Sequence, residues 1–303
     1  MKLYKVSEAF ATDFQPYTYA LPGLPLGKVG ILHSIGGVGK SFWAMQACFQ
    51  AVASGSCDFQ FNAISDNPAP IGGRVVYISF EDDWHDFGRR AKAFYESWEG
   101  TGQKAWARDV ANFFDFVFID EAIVTWGGAG IAFTDAYKLL DEYFNRLKED
   151  NQRVSLIVFD TLSRLHFLDE NSNRDMSALI SFFERLARYL NAAVLILHHD
   201  NKFSMTGLTK EETGNTAAIR GASALGANVR WHASLRTMTR DEAEKHCIEE
   251  KNRKHYLRIE LDKTSYSPPQ EGAWLKRIEG GVLRAEELEE KGGVSDDKAS
   301  IIE

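Results

Sequence analysis

Cysteine is scarce in this 303-residue chain, and its three copies, Cys48, Cys57 and Cys247, stand far apart with no CxxC spacing. That argues against a disulfide framework or a zinc cluster and fits free thiols in a reducing cytoplasm, where the protein is expected to work. Long apolar runs are missing too. No stretch approaches the ~20 residues that a membrane-spanning helix needs, and the opening MKLYKVSEAF has no signal-peptide core, so no membrane partner is expected. Positive charge is in deficit, with 35 Lys and Arg against 43 Asp and Glu and a formal net charge of −8. Such a balance excludes a surface that grips nucleic acid over its whole extent, while leaving room for one basic channel. Proline is rare, yet three of the seven, Pro16, Pro22 and Pro25, gather near the start. They make EAFATDFQPYTYALPGLPLG read as an extended arm covering residues 1–26, with aromatics that need burial against something, such as a neighbouring subunit.

What is present suffices for a substantial core: 44% hydrophobic and 12% aromatic residues. From residue 27 strand and helix signals alternate. GKVGILH, GRVVYISF, DFVFID, VSLIVFD and AAVLILHH read as strands. Between them FWAMQACFQAVA, DDWHDFGRRAKAFYESWE, TDAYKLLDEYFNRLKE and MSALISFFERLARYLN have helical spacing. Nearly continuous apolar strands separated by helices predict a parallel sheet covered on both faces. Beyond His199 a long polar stretch intervenes; NVRWHASLRTM, HYLRIELDKTSY, AWLKRIEG and GVLRAEEL then read as short strands at hairpin spacing. The expected fold class is α/β over residues 27–285, a mainly parallel central sheet flanked by helices, with C-terminal antiparallel strands. Residues 286–303 form a charged tail with the composition of a disordered segment.

The most informative stretch is HSIGGVGKSFW, His33 to Trp43, set between a strand and a helix. Gly36, Gly37 and Gly39 permit positive-φ turns that aim successive backbone N–H groups into one concavity, and the helix that starts near Lys40 adds its N-terminal partial charge. Ser34, Ile35, Gly36, Gly37, Val38, Gly39, Lys40, Ser41 and Phe42 are thus the candidate phosphate-binding set. Lys40 reaches the outer phosphates and the Ser41 hydroxyl ligates Mg2+, as in a P-loop. Ser34 stands where that motif has its first glycine. The bland alternative, a Gly-rich hairpin turn, does not explain why Gly-Lys-Ser falls at the strand–helix junction.

Other positions gain meaning beside the P-loop. VSLIVFD ends in Asp160, a Walker B arrangement in which the carboxylate supports the magnesium through water. Glu81, after VVYISF, is a candidate base for the attacking water, although Asp82 and Asp83 also permit the reading of a plain acidic helix start. His198 and His199 close another buried strand; one of them must point away, and from spacing alone either is a γ-phosphate sensor or both are structural. The loop from Asn201 to Ala218, with Lys202 and Lys210, is too long to be idle and holds residue types that contact phosphates and bases, or else is a surface excursion. SRLHFLDENSNRD, with Arg164 and Arg174, is a second DNA-contact candidate. Arg220 is a cation in search of a partner.

Together these residues resemble the RepA-type hexameric replicative helicases of mobilisable plasmids, within the RecA/DnaB-like ring ATPases. The resemblance runs over nearly the whole chain and is most specific in SIGGVGKS, VFDTLSRLH, LILHHDNK, RGASALGANVRW and DKTSY. It implies a RecA-like fold and a homo-hexameric ring with ATP and Mg2+ at each subunit boundary. It further implies helicase activity on single-stranded DNA at a forked duplex, in plasmid-type replication with a primase and an origin-binding initiator. By the family pattern Glu81 is the catalytic base, His199 rather than His198 the γ-phosphate sensor, Arg220 an arginine finger and Lys263 its support. The segments after Asp160 and His199 would line the channel, and the arm would clasp the next protomer. Ser265 stands where many ring helicases have an arginine, which leaves Arg220 as the main trans-acting cation. The motifs alone also admit a RecA-like recombination mediator that binds DNA without unwinding it. A P-loop kinase of small molecules is disfavoured by the lack of an arginine-rich lid. Polarity of translocation stays open.

Overall fold

Strands that are largely apolar on both sides need cover on both faces, and a nine-stranded sheet in the middle of the protein supplies the frame for it. The computed structural model describes residues 4–52, 72–97, 103–128, 130–200 and 223–290. In chain order the first half contains α1 (Val6–Phe10), β1 (Tyr19–Leu21), β2 (Leu24–Pro25), β3 (Val29–Ser34), α2 (Lys40–Val52), β4 (Arg74–Ser79), α3 (Trp84–Glu96), α4 (Gln103–Phe113) and β5 (Phe114–Phe118). There follow β6 (Val124–Gly127), β7 (Gly130–Phe133), α5 (Asp135–Glu149), β8 (Val154–Asp160), α6 (Leu162–Leu165), α7 (Asn173–Leu190) and β9 (Ala193–His199). The last part holds α8 (Ser223–Asn228), β10 (Trp231–Thr237), α9 (Arg240–Lys245), β11 (Tyr256–Thr264), β12 (Ala273–Arg277) and β13 (Leu283–Glu286).

The sheet order is β13-β12-β11-β10-β3-β9-β8-β4-β5. From β10 to β5 all neighbours are parallel; β11, β12 and β13 complete the sheet antiparallel. β10 is the seam, parallel to β3 on one side and antiparallel to β11 on the other. Successive side chains on a strand face opposite ways, and the core divides accordingly. Leu32, Val75, Tyr77, Val158 and Leu197 join Trp43 and Phe49 of α2 on one face. Ile31, Val76, Ile78, Phe159 and Ile196 join Phe144 of α5 and Phe183 of α7 on the other. Each such large side chain, fully buried, contributes about 1.5–3 kcal/mol, which fixes the strand registers that build the site. The chain then leaves α7 through Asn191 at φ 48°, a left-handed C-cap that asparagine tolerates, and turns directly into β9.

The opening segment has two parts. Residues 4–17 are exposed, with Tyr4, Phe10 and Phe14 at 70%, 87% and 70% of full accessibility. Leu21 and Leu24, still within the segment expected as an arm, are buried in the first core, and the Tyr19 hydroxyl donates to the Tyr266 carbonyl at 2.6 Å. Among the described residues no helix is long and apolar enough to cross a membrane.

Candidate functional site

The carboxyl ends of β3, β9, β8 and β4 lie side by side, the place where open α/β sheets present a ligand crevice. Ser34 is in register with His199, and Ser79 with Asp160. The crevice is a cavity of about 400 Å³ lined by Gly37, Lys40, Ser41, Glu81, His199 and Arg277 among others.

The turn from β3 to α2 takes the shape that its glycines permit. Gly37 and Gly39 have φ of +82° and +120°; a Cβ on Gly39 would lie 2.9 Å from an Arg277 nitrogen. Above Gly37 nothing lies within 4 Å of where a Cβ would be, so the backbone there is open to a phosphate. Val38 is buried and its carbonyl accepts from Arg277, while Ile35 packs on the core. Phe42 lies under the Arg90 guanidinium, 4.9 Å from ring centre to cation, and against Gly281.

Lys40 is almost completely buried. Its ammonium donates to the Ser34 carbonyl and hydroxyl at 3.3 and 3.2 Å and lies 3.0 Å from His199 Nδ1. Burial lowers its pKa, and the charges of Asp160, Asp200 and Glu81 oppose that shift. Asp160, also buried, accepts from the Tyr77 hydroxyl at 2.6 Å and is hydrogen-bonded to the Ser41 side chain. Burial raises its pKa, and the bonds from Tyr77 and Ser41 oppose this. A hydroxyl and a carboxylate side by side beneath an open backbone cradle are the hard oxygen donors that Mg2+ accompanying a nucleotide takes, so the residues fit that pair.

The acidic run 81–83 is divided in three. Asp83 caps α3, accepting from the His85 and Asp86 N–H groups at 2.7 and 2.9 Å. Asp82 is held in a two-pronged pair with Arg90. Glu81 alone of the three lies outside both, two residues beyond β4, with Arg164 Nε 3.4 Å from its Oε1. Alternation also separates the two histidines: His198 is buried, whereas His199 reaches the P-loop beside Lys40 and Gly36. Arg164 is therefore brought to the crevice. Arg174, in the first turn of α7, lies 5.1 Å over the Trp126 ring instead. Lys263 donates to the carbonyls of Gly226 and Val229 at 3.0 and 2.8 Å, fastening the end of α8. Lys202, Lys210 and Arg220 lie outside the described residues.

A family model described as an AAA domain matches residues 3–205, about two thirds of the chain. The chain belongs to this AAA-domain family. Among solved structures, a chain described as an ATPase domain resembles it with a TM-score of 0.57 at 14% identity, over 93% of this chain and 96% of that one. At that identity the likeness concerns the fold, and it matches the RecA-like α/β class expected from the sequence. Within this AAA-domain chain, sequence reasoning missed Tyr77, Arg90 and Arg277 as site residues. Tyr77 carries the one detectable hint among them, a phenol set between the apolar Val76 and Ile78 of β4.

Proposed function

We propose that this chain is an ATP-driven DNA helicase of the RepA-type ring family, acting in plasmid-type replication. The observation that carries the reading is the meeting of Lys40, the hydrogen-bonded pair Ser41–Asp160, Glu81 and His199 in one crevice at four strand ends. Phosphoryl transfer to water needs positioning and charge neutralisation more than covalent help. Backbone N–H groups from Gly36 to Lys40 hold the phosphates, and Lys40 leaves the Ser34 oxygens for the γ-phosphate. Ser41, and Asp160 through water, would hold Mg2+, whose charge would offset that of the phosphates. Glu81 accepts a proton from the attacking water, and His199, already beside Lys40, registers whether the γ-phosphate is present.

Rapid hydrolysis also calls for a cation opposite the P-loop. Arg220 supplies it from a neighbouring subunit in a ring of six, and Lys263 supports it by securing α8, which begins three residues later. The exposed arm residues Val6, Phe10 and Phe14 clasp the next protomer. Lys202 and Lys210, with Arg164 and Arg174, contact the single strand in the channel, and a primase and an origin-binding initiator recruit the ring. A forked duplex with one labelled strand tests this: ATP-dependent release of that strand is expected. ATP-dependent binding without release would make the protein a recombination mediator instead.

A further inference from the structure

The strand that leads into the P-loop carries a histidine that phosphate chemistry leaves unused. His33 is fully buried, one residue before Ser34 and on the opposite face of β3. Its Nδ1 lies 3.0 Å from both oxygens of Asp200, and its Nε2 lies 3.1 Å from Asp262 Oδ2. The other oxygen of Asp262 accepts from the Ser234 hydroxyl at 3.0 Å. A neutral imidazole donates from one nitrogen only and would turn a lone pair toward the second carboxylate; an imidazolium donates from both. The charged ring satisfies both carboxylates at once; burial of Asp262 raises its own pKa, which favours a protonated carboxyl donating to a neutral ring, and the bonds from His33 and Ser234 oppose that shift. Burial lowers the pKa of His33, but the hydrogen bonds and charges of Asp200 and Asp262 outweigh this and raise it to about 9. The other titratable neighbours are His198, its register partner on β9, and His232 of β10, which is held at about 4 by burial.

Both carboxylates sit next to a residue of the site. Asp200 follows His199, and its own N–H donates to the Ser34 carbonyl at 2.9 Å. Side chains alternate along an extended chain, so fixing Asp200 on the His33 face directs His199 to the P-loop face. Asp262 is the extra residue of a bulge: His232 pairs with Lys263 and Ala233 with Leu261. Bulges re-aim side chains, and this one turns Asp262 across β10 to His33 and sets the register from which Lys263 reaches α8.

We propose that His33, as a buried imidazolium shared between Asp200 and Asp262, is a positioning residue that holds His199 at the P-loop and Lys263 at α8 in the geometry that nucleotide turnover requires. The proposal rests on the ATPase reading of the crevice, and one readout is independent of it. In protein with ¹⁵N- and ¹³C-labelled histidine, His33 should show both nitrogens protonated at pH 7.5. In His33→Gln the His199 ring signals should move without any nucleotide. Asp262→Asn, which keeps the shape of the side chain, serves as the gentler second variant and should lower the His33 pKa. In both variants kcat for ATP should fall about ten- to a hundredfold, as misplacing reacting groups by about 1 Å does, with KM changed less than about threefold and rescue of neither by added nucleotide. A neutral His33 at pH 7.5, unmoved His199 signals in folded variants, or a kcat within about twofold of wild type would each overturn the proposal. A wild-type protein that hydrolyses no ATP would overturn the ATPase reading, and with it the role in turnover, whereas the ring signals would still report the clasp.

Discussion

Glu81 and Arg164 meet at the mouth of the crevice, Arg164 Nε 3.4 Å from Glu81 Oε1, although one follows β4 and the other lies on α6 after β8. The pair joins the candidate base to a segment proposed to contact DNA.

Glu81→Gln should bind nucleotide normally and lose turnover, because an amide accepts no proton from water. Arg164→Ala should leave the melting temperature nearly unchanged, since an ion pair this open to solvent contributes only about 0–1 kcal/mol. Fluorescent-nucleotide binding and phosphate release check the first claim. If Glu81→Gln lost nucleotide affinity but kept its rate per site, Glu81 would be a binding residue.

Tyr77→Phe removes a donor from the buried carboxylate of Asp160. A hydrogen bond to a charged group is worth about 1.5–3 kcal/mol, so the Mg2+ needed for half-maximal ATP hydrolysis should rise about tenfold or more. An unchanged Mg2+ requirement in a folded variant would reduce Tyr77 to a core residue.

The P-loop, Asp160, Glu81 and the opposite facing of His198 and His199 were legible in the sequence because each depends on local rules, whereas which of the two histidines faces the P-loop was not. A glycine turn between strand and helix, a carboxylate at a strand end and two-residue alternation all span only a few positions. What stayed hidden depends on pairing across the sheet. The clasp of His33 joins residues 167 and 229 positions apart, and it needs the bulge at Asp262 to form. Arg277 reaches Val38 from the antiparallel end of the sheet, 239 positions away. The acidic run 81–83 looked uniform in the sequence, and only the start of α3 at Trp84 assigned its members to three different tasks.

Stability should fall on the alkaline side. The pKa of His33 is about 9 in the fold against an ordinary 6.5, so its stabilisation is complete below about pH 6.5 and lost as pH rises through about 9. The size is on the order of 3 kcal/mol. Melting temperatures measured from pH 6 to pH 10, a range chosen to span about those two values, should decline more steeply in wild type than in Asp262→Asn. Parallel curves would contradict the charged state of His33.

Arg220 invites a test by mixing. Arg220→Ala should bind ATP yet hydrolyse it about a thousandfold more slowly or worse, as loss of an arginine finger does. Lys40→Ala should be folded and inactive. Rings formed from both variants contain boundaries where an intact P-loop faces an intact Arg220, and ATPase should partly return. Subunit exchange seen by fluorescence transfer with no recovered activity would make Arg220 a cis or structural residue.

The most direct measurement is the steady-state rate of ATP hydrolysis with and without single-stranded DNA, for wild type, Lys40→Ala and Glu81→Gln side by side. Wild type should hydrolyse ATP, and its rate should rise several-fold on adding DNA, while both variants stay at background in either condition. A wild-type rate indifferent to DNA, or a Glu81→Gln rate equal to wild type, would contradict an ATP-driven DNA motor built on this crevice.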